Sequence, residues 1–118
     1  MSETGYIYIA SPYTHPSGDV RRARFDCVCR FAALVMNRGH IVFSPIAHSH
    51  PIALHGLDAT SMDFWRRQDK PFLDGCESMV VLMLEGWDES AGVQHEIETV
   101  RAAGKPIAYY SPPKATKL

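Results

Sequence analysis

Apolar residues fall along the chain in two arrangements, short continuous runs and longer stretches at helical spacing, and the two take turns. Tyr6-Ile7-Tyr8-Ile9-Ala10, rich in β-branched and aromatic residues and stopped by Ser11-Pro12, predicts a first strand. From Asp19 to Asn37, Val20, Ala23, Cys27, Val28, Phe31, Leu34 and Val35 recur at helical spacing, with Ser17 or Asp19 as cap and Gly39 as terminator. Ile41-Val42-Phe43 predicts a short second strand stopped by Ser44-Pro45. The stretch from Ile46 to Thr60 holds no sustained period and predicts a long loop.

A second helix is expected from Ser61 to about Gly75, with Pro71 kinking it or starting a new turn. Met79 to Leu84 is a continuous apolar run, the pattern of a strand covered on both faces. Gly86-Trp87-Asp88-Glu89-Ser90 predicts a loop with capping residues, followed by a last helix to about Ala103. Gly104-Lys105-Pro106 ends it, and Ile107 to Tyr110 predicts a last strand. Residues 111–118 are expected to form a mobile tail.

Strands alternating with helices predict an α/β fold with a three-layer architecture and a mainly parallel sheet of four or five strands. A Rossmann-like or flavodoxin-like strand order, 2-1-3-4, follows as the expected topology. Ligands of such sheets bind outside the carboxyl ends of the strands, where the order reverses. That rule brings Ala10, Ser11, Pro12 and Tyr13 into one crevice with the loop from Glu85 to Ser90.

A length of 118 residues suits a single domain, residues 1–118, with one core. The net charge of -1, from 12 basic and 13 acidic residues, carries no electrostatic footprint for a nucleic acid polymer or an anionic membrane. Cys27, Cys29 and Cys76 are odd in number and read as reduced, buried thiols. No stretch approaches a membrane span, and Met1-Ser2-Glu3-Thr4 lacks a basic region leading into an apolar run, so a cytoplasmic protein is expected.

With successive residues of the last helix about 100° apart, Val93, Ile97 and Val100 cluster within roughly 60° and define its sheet-facing side. Glu96 falls beside that side, whereas His95 and Glu98 point toward solvent. Two readings of Glu96 are open: a boundary residue whose stem covers the core, or an acid facing the crevice. Ser90 is a plausible N-cap, and Gly92 would let a ligand approach the exposed amides of the first turn, where an anion such as phosphate is favoured.

Asp69 lies near the centre of the apolar face defined by Met62, Trp65, Phe72 and Cys76, where a carboxylate requires an explanation. It either caps a fresh helical turn beginning around Lys70-Pro71 or serves as a second carboxylate of the site. Tyr8 alternates with Ile7 and Ile9; its buried phenol needs a partner, and an ionised Glu96 is within reach if the topology holds.

His48, His50 and His55 invite a metal-site reading, but their spacing matches no strong zinc pattern. A polar lid over the crevice is the expectation there, with no metal. Neither Gly-x-Gly-x-x-Gly after the first strand nor a Walker-type Gly-x-x-x-x-Gly-Lys-Ser/Thr occurs. Cys76 has no obvious base in its local sequence.

Across most of residues 6–110 these features resemble the nucleoside 2-deoxyribosyltransferase superfamily, including its deoxynucleoside 5′-monophosphate N-hydrolase branch. The resemblance is carried by Tyr8-Ile9-Ala10-Ser11-Pro12-Tyr13, Asp69 ahead of the third strand, Ser90-Ala91-Gly92-Val93-Gln94-His95-Glu96, and Gly104-Lys105-Pro106-Ile107. It implies N-glycosidic bond cleavage, with Glu96 as nucleophile, Tyr8 positioning it, and Asp69 assisting at the base or sugar. Ser90 stands where the transferases carry Asp against the sugar 5′-hydroxyl, and serine there implies room for a phosphate. The resemblance also implies a small-molecule nucleoside or nucleotide substrate, no metal or organic cofactor, and a homo-oligomer. Two departures are Glu98, where many relatives have a small residue, and Ser11-Pro12-Tyr13, which differs from the glycine-rich hydrolase loop. A nucleoside 2-deoxyribosyltransferase and a non-catalytic nucleotide-binding or sensing module are the alternatives.

Overall fold

The computed structural model describes residues 5–58 and 60–113. Four strands form one all-parallel sheet in the order β2-β1-β3-β4, the topology expected from the sequence: β1 Ile7–Ala10, β2 Val42–Phe43, β3 Ser78–Leu82 and β4 Ile107–Tyr110. The central pair is β1 with β3, in register from Ile7 opposite Ser78 to Ala10 opposite Val81, so the carboxyl ends of both strands stop side by side. β3 ends at Leu82, before the expected Leu84, because Leu84 N–H turns back to Leu82 O and takes the backbone out of the ladder.

Helices cover both faces of the sheet. Alternation along β1 sends Tyr8 and Ala10 to one side, where Met79 and Val81 of β3 meet Val93, Ile97 and Val100 of α4 (Ala91–Ala102). Ile9, Val80 and Leu82 face the other side, packing with Val28 and Phe31 of α1 (Gly18–Asn37). Ser17 caps α1 by accepting from Val20 N–H at 3.4 Å, and Gly39 ends it in the left-handed region at φ 91°.

One expectation fails, and of the alternatives open for the helix expected from Ser61 those that need a fresh helical turn fall away. The segment expected to be a loop from Ile46 holds a nine-residue helix, α2 (Pro45–Ala53). Ser44-Pro45, which reads as a strand stop, is also a helix start: Ser44 Oγ accepts from Ala47 N–H at 3.0 Å, and Pro45 stands at the first helical position, where its missing N–H costs nothing. α3 (Met62–Gly75) runs through Pro71 without a new start, capped by Ser61 Oγ accepting from Phe64 N–H. Asp69 lies inside that continuous helix, so the capping explanation for it falls away.

Among the described residues no helix is long and apolar enough to cross a membrane. Of the expected tail, residues 114–118 lie outside the described residues, as does the Met1-Ser2-Glu3-Thr4 segment.

Candidate active site

A cleft of about 390 Å³ opens at the carboxyl ends of β1 and β3, where Ser11, Pro12 and Tyr13 meet the loop carrying Gly86, Glu89 and Ser90. The chain reaches α4 from β3 through a tight turn, Trp87–Glu89, whose entry at Gly86 has φ 89°, a left-handed backbone that favours glycine. Ser90 then caps α4 with its Oγ, accepting from Val93 N–H at 3.2 Å, as the sequence predicts.

Tyr8 is completely buried beneath the cleft, and its hydroxyl donates to Glu96 Oε2. Glu96, half-buried, lines the cleft from α4, one residue away from the buried Ile97. Burial is the main influence on its carboxyl; the Tyr8 hydrogen bond pulls the other way, Asp69 adds to the burial, and the result is a pKa raised to about 8. The phenol itself is held far above its ordinary range by burial and by the two carboxyls, so Tyr8 stays protonated and donates.

Asp69 enters the same cleft from α3, 7% exposed, and burial raises its carboxyl to about 7. The two carboxyls influence one another electrostatically, so their titration belongs to the pair. Two acids with raised pKa values beside one buried phenol form a unit able to hold a proton near neutrality.

Of the other expected residues, Ser11, Pro12, Tyr13, Ser90 and Gly92 line the cleft, while Ala10 is fully buried behind it. Ser11 Oγ is the one buried side-chain polar atom without a hydrogen-bond partner among the described residues, and it belongs to the cleft wall. Such an atom ordinarily has a partner. A methyl at Gly92 would meet Met62 Cε at 3.7 Å, ordinary contact, so glycine contributes open space over the helix end.

At that end Val93 N–H goes to Ser90 Oγ and Gln94 N–H to Ser90 O, which leaves the Ala91 and Gly92 amides as donors. Two cations not singled out by the sequence also line the cleft. Arg24 of α1, half-buried, ties the crevice loops together through Thr14 O at 3.2 Å and Glu85 O at 3.3 Å. Arg66 stands exposed on α3, three residues before Asp69 and so on its side of the helix. An arginine at a cleft and one on an ordinary solvated helix face look alike in sequence.

The histidines do not form the expected lid. His50 is buried on α2, its ring stacked on Phe25 at 4.4 Å, and none of His48, His50 and His55 lines the cleft. Helix formation from Pro45 turns His50 inward, against α1. Among the described residues no group of three or more His, Cys, Asp or Glu side chains is placed to hold a metal ion. His95, expected toward solvent, is exposed but also reaches the rim of the cleft.

Residues 5–112 match a family profile described as "Domain of unknown function (DUF1937)", so the chain belongs to that family. No curated protein matches it.

Proposed function

We propose that this member of the DUF1937 family cleaves the N-glycosidic bond of a nucleoside 5′-monophosphate, ribo or deoxy, with Glu96 as the nucleophile. The observation that carries the reading is the Tyr8 hydroxyl donating to Glu96 Oε2 at the floor of a cleft that Asp69 also enters. The resemblance to the nucleoside 2-deoxyribosyltransferase superfamily assigns these same three residues to that chemistry.

The reaction uses the form of the pair with Asp69 protonated and Glu96 ionised. In the ligand-free site Glu96, at about 8, holds a proton more tightly than Asp69, at about 7, so substrate binding has to reverse that order, with the Tyr8 hydrogen bond favouring ionised Glu96. Glu96 attacks C1′ through an oxocarbenium-like transition state while the bond from C1′ to the base nitrogen breaks. The electron pair of that bond leaves with the base, which takes the Asp69 proton. The glycosyl ester on Glu96 is then opened by water at C1′, which yields the sugar 5-phosphate, frees the Glu96 carboxylate and returns a proton to Asp69.

The 5′-phosphate fits the end of α4. Ser90 Oγ accepts from Val93, which leaves its own proton to donate outward beside the Ala91 and Gly92 amides. Arg24 and Arg66 supply positive charge to the same cleft, and the unpartnered Ser11 hydroxyl supplies a further donor to the substrate. The reading includes a cytoplasmic setting and a homo-oligomer.

Purified protein incubated with a panel of ribo- and deoxynucleoside monophosphates, with chromatography for free base, tests the reaction. Adding a second free base separates hydrolase from transferase, since only a transferase forms the exchanged nucleotide. A non-catalytic nucleotide-binding module is the second reading. It is favoured by one observation: with its pKa raised to about 8, Glu96 in the ligand-free protein keeps its proton through neutral pH. Tight binding of a monophosphate without release of base at any pH selects it.

A further inference from the structure

The Tyr13 ring, 5% exposed, forms part of the cleft wall and packs edge-on against Trp65, another wall residue, with ring centroids 5.3 Å apart. On its far side the Tyr13 hydroxyl lies 2.5 Å from His50 Nδ1. His50 itself is 6% exposed and is clamped against Phe25, whose ring plane lies within 28° of its own. We infer that His50 is a positioning residue, which in its Nε2–H tautomer accepts the Tyr13 hydroxyl proton and so fixes the aromatic wall against which the substrate binds.

The direction of that hydrogen bond follows from a third group. Arg21 of α1 acts electrostatically on both the Tyr13 phenol and the His50 ring, and a guanidinium offers only N–H groups to a neighbouring oxygen. A cation on that side favours the lone pairs of the phenol oxygen, which leaves the phenol proton for Nδ1, the ring nitrogen it meets at 2.5 Å. Burial keeps the imidazole neutral by lowering its pKa; Arg21 on α1 acts in the same direction, Asp26 opposes and Arg22 adds to the lowering. Tyr13 from the β1 loop is the titratable group facing the ring at Nδ1.

α2 thereby acquires a function that its sequence hides: it carries no residue to the reacting bond, yet it braces the wall through one ring nitrogen. An aromatic wall suits a flat heterocycle, so the inference rests on the nucleotide reading for its substrate but not for its geometry. Nitrogen-15 spectra of the ligand-free wild-type protein test the geometry without any turnover. A protonated Nε2 with an unprotonated Nδ1 on His50 is expected, and a protonated Nδ1 overturns the assignment.

The functional arm uses His50→Leu, His50→Asn and Tyr13→Phe with the best monophosphate of the panel. His50→Leu is expected to raise KM about tenfold, the scale of one buried hydrogen bond, with kcat within about twofold of wild type. His50→Asn, whose amide reaches the Nδ1 position, restores most of the affinity. In a Tyr13→Phe background His50→Leu adds nothing. A loss in kcat at unchanged KM, or an undiminished effect of His50→Leu in the Tyr13→Phe background, overturns the role. If no monophosphate is turned over, the nucleotide reading fails, while the tautomer still decides the His50 assignment by itself.

Discussion

The Tyr8 hydroxyl and the Glu96 carboxylate, 88 residues apart in sequence, meet because β1 and α4 pack against one another on one face of the sheet. The phenol is the counterweight to burial on Glu96, the group that favours the charged form where desolvation disfavours it. Removing it isolates that effect. Tyr8→Phe is expected to push the Glu96 pKa above about 8 and to move the acid limb of the rate profile to higher pH. A pH profile of kcat/KM for the two proteins checks this, and an unshifted acid limb contradicts it.

Stability carries the same signature with a definite sign. The folded protein holds protons on Glu96 up to about 8 and on Asp69 up to about 7, whereas unfolded carboxyls release theirs near their ordinary values of 4.5 and 3.8. The folded state thus binds more protons across that window, and stability falls as pH rises through it. Glu96→Gln, still able to accept from Tyr8, removes the larger part of the dependence. Thermal unfolding between about pH 5 and pH 9 should show a melting temperature that declines less in Glu96→Gln than in wild type, with the variant the more stable above pH 8. Parallel curves for the two proteins would sink the claim that Glu96 resists ionisation.

Much of this site was legible in sequence, and the reasons are local. Val93, Ile97 and Val100 mark the buried face of α4, with exposures of 0%, 3% and 1%, and the same helical period sets Glu96 at its margin. Ser90 reads as a cap because its side chain satisfies an amide of the first turn, and it does so. What could not be read depends on tertiary context. Ser44-Pro45 ends a strand and starts a helix with the same two residues, and nine residues that include Pro51 are too few for a period to declare α2. His50 faces inward only because that helix forms. Pro71 reads in sequence as a kink or a new turn, and the structure carries α3 through it as one helix with Trp65 before it and Leu73 after it both buried.

Asp69 is expected to supply the proton that leaves with the base. Asp69→Asn should lower kcat by about 10²–10⁴-fold and flatten the alkaline limb of the profile, which reflects loss of the last proton from the pair. Substrates whose departing base needs no proton, such as those with an activated leaving group, should recover most of the rate. Equal loss with both kinds of substrate would contradict the acid role.

The anion end of the cleft predicts a selective effect. Arg66→Ala should raise KM for a nucleoside monophosphate severalfold, by the loss of one charge-assisted contact, and leave KM for the matching nucleoside unchanged. Gly92→Ile fills the space over the α4 amides and should act in the same direction more strongly. Steady-state kinetics with paired substrates distinguishes this from a general loss of fold, which would affect both alike.

Release of free base by wild-type protein and by Glu96→Gln, followed by chromatography near pH 8 under identical conditions, reaches the centre of the account. Glu96→Gln keeps the shape of the side chain and a hydrogen-bond acceptor for Tyr8 but cannot form the glycosyl ester. Wild type is expected to release base and the variant to do so at a rate lower by about a thousandfold or more, with monophosphate binding retained. Release at an undiminished rate by Glu96→Gln would contradict it.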